Sequence, residues 1–261
     1  MKYKYKLGFL GSGNMANAIL SGILANNLLD KNEIIMSATT AREIQGIQVV
    51  TDNSFVLENC QYVIVAIKPQ VFASIAQTLT KINSACIVSI MAGVTCAKIK
   101  KMLNFDGEIV RIMPNTPSMV GCGMTVIADK ECQADDKKFV YDIFASLGKV
   151  AYIAEEKFDA VTSISGSGPA YVYYFINSMI KGGVDGGLSQ DESKLLTLQT
   201  FAGAIKMIEK SSDKIEELIQ KVCSKGGTTI QAINFFKESN LENTIETAIK
   251  KCRERSEEMS K

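Results

Sequence analysis

No stretch of this sequence constrains its fold more than Gly8-Phe9-Leu10-Gly11-Ser12-Gly13-Asn14-Met15-Ala16. A β-like run, residues 4–10, leads into it. Behind it Ala18, Ile19, Ile23 and Leu24 recur at the three- and four-residue spacing of an amphipathic helix. A strand, a tight glycine turn and a helix start make an anion site: Gly11 permits the turn, Gly13 lets the backbone approach a pyrophosphate, and Ala16 lets helix and strand pack closely. The phosphates then meet the unpaired N–H groups and positive dipole end of the helix. Glycine-rich turns also arise for steric reasons, so the pattern alone is weak evidence. Its setting, strand before and helix after, favours a nucleotide.

Short apolar runs occur next at residues 33–38, 62–67, 86–91 and 109–113. They are unbroken β-branched and aliphatic stretches without in/out alternation, as expected of strands buried on both faces of a parallel sheet. Helical windows at 70–82 and 96–103 separate them, which predicts a doubly wound α/β sheet. Runs at 124–128 and 149–153, joined by a helix over 135–146, extend it. From about residue 155 the pattern is all-helical, giving an expected division into a nucleotide-binding domain, 1–155, and a helical domain, 156–261. Helical segments 158–164 and 170–180 flank a glycine-serine interruption. The second is apolar nearly all round and predicts a buried central helix ended by Gly182-Gly183. Ser189-Gln-Asp-Glu192 is a capping box for a helix to about Glu209. Residues 213–222 form another, stopped by Gly226-Gly227, and two more cover 228–239 and 241–260. So small a helical region, with a central helix apolar on every side, is expected to pack against a second copy.

Composition matters mainly for what it removes. The 261 residues include no His, which excludes a Ser-His-Asp triad, a Cys-His pair, a His general base and any His-ligated metal. Seven cysteines (60, 86, 96, 122, 132, 223, 252) are scattered without a CxxC and read as reduced, structural thiols. No nearby base marks any as reactive. A net charge of +1 offers no field to nucleic acid or a membrane surface. Lys2, Lys4 and Lys6 before an apolar run resemble a signal peptide, but Gly11 to Asn14 break that run early and no cleavage-like site comes after it. No apolar segment approaches the ~20 residues that cross a bilayer. The expectation is a soluble, cytoplasmic protein with no metal, nucleic-acid or membrane partner.

Cofactor type can be read further along. NAD-preferring folds place an Asp or Glu near the end of the second strand for the ribose 2′-hydroxyl. Here residues 36–42 read Met-Ser-Ala-Thr-Thr-Ala-Arg, with no acid before Glu43. Thr39, Thr40 and Arg42 suit a 2′-phosphate, which a guanidinium can grip in a planar fork. The expected cofactor is therefore NADPH, with NADH as the alternative; Thr39-Thr40 could also cap a following helix. Lys68, in Ala66-Ile67-Lys68-Pro69, sits at a strand's carboxyl end, where α/β folds bind ligands, or is a solvated loop cation. In Arg111-Ile-Met-Pro114-Asn115-Thr116-Pro117, two prolines fix the backbone around Asn115, suiting an amide that orients a flat ring or simply ending a strand. Ser165-Gly-Ser-Gly168-Pro169-Ala170-Tyr171 and Ser224-Lys-Gly226-Gly227-Thr228-Thr229 each lead into a helix, with Pro169 a first-turn residue and Thr228 or Thr229 a cap. Spacing alone favours structural capping for both, although each also exposes N–H groups to a small anion.

Taken together, Gly11-Ser-Gly-Asn-Met-Ala16, Ala66-Ile-Lys-Pro-Gln70, Arg111-Ile-Met-Pro-Asn-Thr-Pro117, Ser165-Gly-Ser-Gly-Pro-Ala-Tyr171 and Gly226-Gly-Thr-Thr229 resemble pyrroline-5-carboxylate reductase. The motifs occur in that family's order, from residue 6 to the carboxyl terminus. The resemblance implies an N-terminal Rossmann domain and a helical C-terminal domain that intertwines with a partner's. It implies NAD(P)H-dependent reduction of 1-pyrroline-5-carboxylate to L-proline, the last step of proline biosynthesis. It also implies homodimers, often built into decamers (pentamers of dimers), with the site at the subunit boundary. Carried over by position, Gly11, Ser12, Gly13, Asn14 and Met15 cradle the pyrophosphate, and Thr39, Thr40 and Asn53 flank the adenosine ribose. Ala66, Ile67, Lys68, Pro69 and Ala92 line the cofactor's path, with Asn115 nearer the nicotinamide. Ser224, Gly226, Gly227 and Thr228 would hold the substrate carboxylate, and Thr229 matches the threonine that hydrogen-bonds the ring nitrogen. One departure is Lys225, where the family usually has Pro; it frees the loop and adds a cation beside an anionic substrate.

A reaction of this kind suits a chain without His. A protonated cyclic imine is already electrophilic at carbon, so hydride transfer needs positioning, worth ~7–11 kcal/mol of barrier in well-oriented systems, more than a strong acid. A threonine hydroxyl can hold the nitrogen, whereas a carbonyl reductase generally uses a Lys, His or Tyr donor. Two alternatives stand beside it. A 3-hydroxy-acid dehydrogenase would want a Lys inside the central helix, and 170–180 has none. An NADP-binding sensor would not need Gly226-Gly-Thr-Thr229.

Overall fold

The computed structural model describes residues 2–79, 81–129 and 134–260. Cys132 lies outside them. The first part of the chain forms β1 (Tyr5–Leu10), β2 (Ile34–Ser37), β3 (Arg42–Ile44), β4 (Ile47–Val50), β5 (Cys60–Val65), β6 (Cys86–Ser89), β7 (Glu108–Met113), β8 (Gly123–Ala128) and β9 (Gly148–Ile153), of which the short polar β3 and its partner β4 are not among the expected apolar runs. They make one sheet in the order β3-β4-β2-β1-β5-β6-β7-β8-β9. The middle of the sheet is parallel, as unbroken apolar strands require, while β3 on β4 and β7 on β8 run antiparallel.

Alternate residues of these strands feed two cores. Leu7, Phe9, Met36, Tyr62 and Ile64 pack under α1 (Asn14–Ala25) and α5 (Ala134–Ala145) through Ile19, Ile23 and Phe144. Leu10, Ile35, Val63 and Val65 pack on the other face under α2 (Asn53–Asn59), α3 (Pro69–Ile75) and α4 (Cys96–Leu103) through Leu57, Phe72 and Ile99. Helices on both faces make the sheet doubly wound. The strand order reverses at β1, between β2 and β5, so a crevice opens at the carboxyl end of β1, the usual ligand position.

The chain divides into two compact units, one comprising Met1–Ser167 with Cys252–Lys261, the other Gly168–Lys251. The first unit ends its main run with α6 (Phe158–Val161) and a π turn, Thr162–Gly166. The glycine-serine interruption is thus one wide helical turn, closed by the Ser167 N–H donating to the Thr162 carbonyl at 2.8 Å. The second unit holds α7 (Gly168–Asp185), α8 (Gln190–Lys210), α9 (Ile215–Val222), α10 (Thr228–Glu238) and the start of α11 (Leu241–Ser260). Ser189 opens α8 through the expected capping box, and its hydroxyl and N–H hold the Glu192 carboxyl below its ordinary pKa.

Two readings of the helical half are corrected. Gly182-Gly183 does not end α7, which runs to Asp185; a Cβ on Gly183 would lie 2.2 Å from Ser193 Oγ, so this glycine serves the crossing with α8. The stop comes at Gly187, whose φ is +96°. Nor is α7 buried within one chain: Tyr173 is 60% and Tyr174 73% exposed. Among the described residues, no helix is long and apolar enough to cross a membrane.

Candidate active site

In the first unit the crevice is built by the turn after β1. Gly11 has φ +102°, and a Cβ there would meet the Ala66 carbonyl oxygen at 2.7 Å and Ile67 Cγ2 at 2.6 Å. Any other residue is excluded twice, by backbone conformation and by the neighbouring strand end. Gly13 differs. It is the N-cap of α1 with ordinary extended angles, makes no side-chain cap, and a Cβ on it would meet nothing within 4 Å. A Cβ there would touch nothing of the chain itself, whereas a pyrophosphate lying against the helix N-terminus would account for the glycine. The exposed Asn14 and half-buried Met15 come next, in the first turn. Asn17 donates its amide N–H groups to the carbonyls of Ser12 (2.9 Å) and Gly13 (3.0 Å), fixing the loop from one turn below. The residues therefore fit the phosphates of a dinucleotide.

On the adenosine side, Thr39 and Thr40 are exposed at the end of β2. They cap no helix, because the next element is β3, paired with β4 through the two-residue turn Gln45-Gly46. Arg42 stands on β3 and donates from Nη2 to Ser12 Oγ at 2.8 Å, which brings the guanidinium to the glycine turn. Asn53, the first residue of α2, accepts the Ser37 hydroxyl at 2.6 Å through its amide oxygen. Ser37 is fully buried, and its role in holding Asn53 was missed; its signal is a lone hydroxyl ending an apolar run.

Beyond β1, Ala66 and Ile67 leave β5 and Lys68 is the N-cap of α3, with Pro69 at the first helical position. Lys68 is exposed at the strand's carboxyl end. Ala92 lies in the loop after β6. Asn115 comes after β7, and both ends of its amide are engaged: Oδ1 accepts the Met124 N–H at 2.9 Å, and Nδ2 donates to the Ser165 carbonyl at 3.2 Å. These bonds tie the loop after β7 to strand β8 and to the π turn, and leave one amide hydrogen for a ligand. Four residues earlier Arg111, 3% exposed, lies 3.4 Å from Glu155 Oε1 and 4.8 Å from the Phe158 ring centre. Glu155 in turn accepts the Cys96 N–H at 2.8 Å.

The second unit carries the other glycine pair. Gly226 has φ +73° with open space before a Cβ, and a Cβ on Gly227 would strike Ser224 Oγ at 2.3 Å. Gly227 is the N-cap of α10 at φ −78°, ψ 175°, with no side-chain cap; Thr228 and Thr229 are helical, so neither is the cap. The Gly13 cap of α1 has almost the same angles, φ −76°, ψ −175°. Ser224, Lys225 and Thr228 are exposed at this turn. Thr229 is half-buried against an apolar cavity of about 400 Å³, lined also by Met207, Ile219, Val222 and Ile233. Thr162, Thr200 and Thr244 return their hydroxyls to the carbonyl four residues back, but Thr229 lies too early in its helix for that bond and keeps its hydroxyl available.

Comparison with known proteins decides the lineage. Residues 155–259 match the family model for pyrroline-5-carboxylate reductase dimerisation, and residues 6–93 match that for NADP oxidoreductase, coenzyme F420-dependent. A pyrroline-5-carboxylate reductase of Vibrio alginolyticus is 32% identical over 271 aligned residues, covering 100% of this chain and 99% of the relative. The chain belongs to the pyrroline-5-carboxylate reductase family. A Synechocystis member is 34% identical over 98% of both chains. The Plasmodium falciparum pyrroline carboxylate reductase, solved with NADP bound, superposes with a TM-score of 0.92 at 33% identity over the whole of both chains.

Proposed function

We propose that the chain is an NADPH-dependent reductase that converts 1-pyrroline-5-carboxylate to L-proline, the last step of proline biosynthesis, and that it works in the cytoplasm. The observation that carries this reading is the pair of glycine-capped helix starts, Gly13 on α1 and Gly227 on α10, in a chain that aligns with 99% of its Vibrio alginolyticus relative. Two N-termini without a side-chain cap suit two anions, a pyrophosphate at Gly11 to Met15 and a carboxylate at Ser224 to Thr228.

Gly11, Gly13, Asn14 and Met15 would hold the cofactor's pyrophosphate, with Thr39, Thr40, Arg42 and Asn53 around its ribose and 2′-phosphate. Ala66 to Pro69, Ala92 and Asn115 would border its nicotinamide half. When bound, the dihydronicotinamide supplies the hydride that the imine carbon accepts. The chain's task is orientation: the glycine turn on the carboxylate fixes one end of the substrate ring, and the Thr229 hydroxyl fixes the nitrogen. That hydroxyl accepts the iminium N–H and stays bonded as the nitrogen becomes a secondary amine, so no histidine is needed. The domain roles divide accordingly, with 1–155 binding nucleotide and 156–261 serving substrate and assembly.

The protein is a homo-oligomer. We read the homodimer as its unit, with a pentamer of dimers as a further assembly, and place each site between the nucleotide half of one copy and the Ser224–Thr229 turn of the other. The supporting observation is the apolar surface of the helical unit, where Leu195 is 69% and Phe235 65% exposed. NADPH oxidation measured side by side with pyrroline-5-carboxylate, pyrroline-2-carboxylate and a 2-keto acid tests the reaction. Turnover with the first alone is expected; preference for the keto acid would overturn it.

A further inference from the structure

Residues 252–260 of α11 belong to the nucleotide-binding unit, and they do not rest on its outside by simple apolar contact. Ser256 is 5% exposed and donates its hydroxyl to Asp159 Oδ1 at 2.6 Å. Met259 lies over the loop after β6: a Cβ on Gly93 would sit 2.7 Å from Met259 Cβ and 3.4 Å from the Ser256 carbonyl oxygen. Gly93 has φ +67°, so this position is glycine both for its backbone and for the helix above it. Lys98, in the first turn of α4, donates to the Met259 carbonyl at 3.4 Å. One turn back, the Cys252 thiol donates to Ser167 Oγ at 3.3 Å, beside the Ser165 carbonyl that receives the Asn115 amide.

Two of these contacts fall on the loop after β6, at Gly93, and on the turn before α7, at Ser167, while Asp159 lies in α6 and Lys98 in α4. The loop between β6 and α4 carries Ala92, and Asn115 comes after β7; both strands lie on the side of β1 away from β2, the nicotinamide side of a dinucleotide crossing at β1. Glu155 holds the far end of that loop, where α4 begins, by accepting the Cys96 N–H while pairing with buried Arg111. On its other side, the three nearest atoms that a Cβ on Gly93 would meet all belong to the end of α11.

We infer that the last turns of α11 are a clasp that sets the Ala92–Gly93 loop and the 165–167 turn, and that Ser256 and Met259 are positioning residues for the nicotinamide half of the cofactor. This rests on the reading of the chain as an NADPH-dependent reductase. Neither residue touches the reacting atoms. They act through Gly93, and their effect falls on one end of the cofactor only.

The test compares the full-length protein with a chain ending at Glu254 and with Ser256→Ala. Binding of NADPH and of adenosine 2′,5′-bisphosphate, which lacks the nicotinamide, is titrated by calorimetry, and kcat and KM are measured with pyrroline-5-carboxylate. The clasp predicts that the truncated chain binds NADPH about tenfold more weakly, the scale on which residues that do not touch a ligand modulate its binding. Its affinity for the bisphosphate and its KM for the imine stay within about twofold. Ser256→Ala moves the same way by less. Asp159→Asn, whose amide oxygen still accepts the Ser256 hydroxyl, retains NADPH affinity that Asp159→Leu loses. Unchanged NADPH affinity in the truncated chain, or equal loss of NADPH and bisphosphate, overturns the clasp. If the full-length protein neither binds NADPH nor reduces the imine, the reductase reading fails and takes the clasp with it.

Discussion

The two compact units treat their apolar residues in opposite ways. In the nucleotide-binding unit Phe9, Phe72, Phe144 and Phe158 are all buried, and both faces of the sheet are closed by the chain's own helices. In the helical unit Leu195, Leu196, Tyr174 and Phe235 stand more than half exposed, and Ile180 is its one buried large hydrophobic among the described residues. The same chain has finished one core and left the other open. A surface of that kind on a folded unit calls for a partner, and in a homo-oligomer the partner is another copy. The two glycine-capped helix starts sit on opposite sides of this divide: Gly13 belongs to the closed unit, Gly227 to the open one. On the function proposed above, cofactor binding needs one chain and substrate binding needs the assembly.

That contrast can be broken most sharply at Thr229. Thr229→Ala is expected to cut kcat by about 10²–10³, the cost of removing one donor or acceptor from a reacting centre, while NADPH affinity stays within about twofold. Equal loss of turnover and NADPH binding would show that the two glycine turns are not separate halves. Next in size is Phe235→Asp in the open unit. Replacing an apolar contact worth ~1.5–3 kcal/mol with a charge should weaken self-association by roughly 30-fold or more in light scattering, with NADPH binding retained. A dimer as tight as the wild type would mean that α10 stays in solvent.

Within the closed unit, Arg42→Ala should lower the preference for NADPH over NADH by about tenfold, the scale of one lost charge-assisted hydrogen bond. An unchanged ratio would place 2′-phosphate recognition elsewhere. The smallest expected effect is at Cys60. Burial pushes its thiol up to about 12, so at pH 8–9 it stays protonated, and alkylation should mark exposed Cys122 while leaving Cys60 unmodified in the native protein. Labelling of both at similar rates would contradict a closed core.

The same divide governs how much of the molecule was legible in the sequence. Strands β2, β5, β6 and β7 could be read because each is a mainly apolar run that a doubly buried position explains, and β1 because it leads into the glycine turn. The hairpin of β3 and β4 could not. β3 is three residues long, polar and at the sheet's edge, and its turn is Gln45-Gly46, with both φ positive (+54° and +83°) but without the usual Asn-Gly signal. Residue type alone therefore marks Arg42 as a cation suited to a 2′-phosphate, without the strand that carries it to Ser12. Gly182-Gly183 misled because a glycine chosen for close helix crossing looks like a glycine chosen to end a helix. The apolar face of α7 was legible as a buried surface, but a single chain cannot show what buries it. Gly11 and Gly13 illustrate the remaining limit: both belong to one motif, yet only the structure separates the glycine that the chain's own packing demands from the one it leaves open.

The claim at the centre is that the nucleotide turn of one copy works with the substrate turn of the other. Gly13→Val, which blocks the open cradle, and Thr229→Ala, which removes the hydroxyl, should each leave little activity alone. After the two are mixed in equal amounts and allowed to exchange subunits, half the dimers carry one site with both halves intact. Activity should return to about a quarter of the wild-type level, as random pairing of two-fold dimers requires. If activity stays at the level of the separate variants while exchange is complete, each site is built from a single chain, and the shared-site account is wrong.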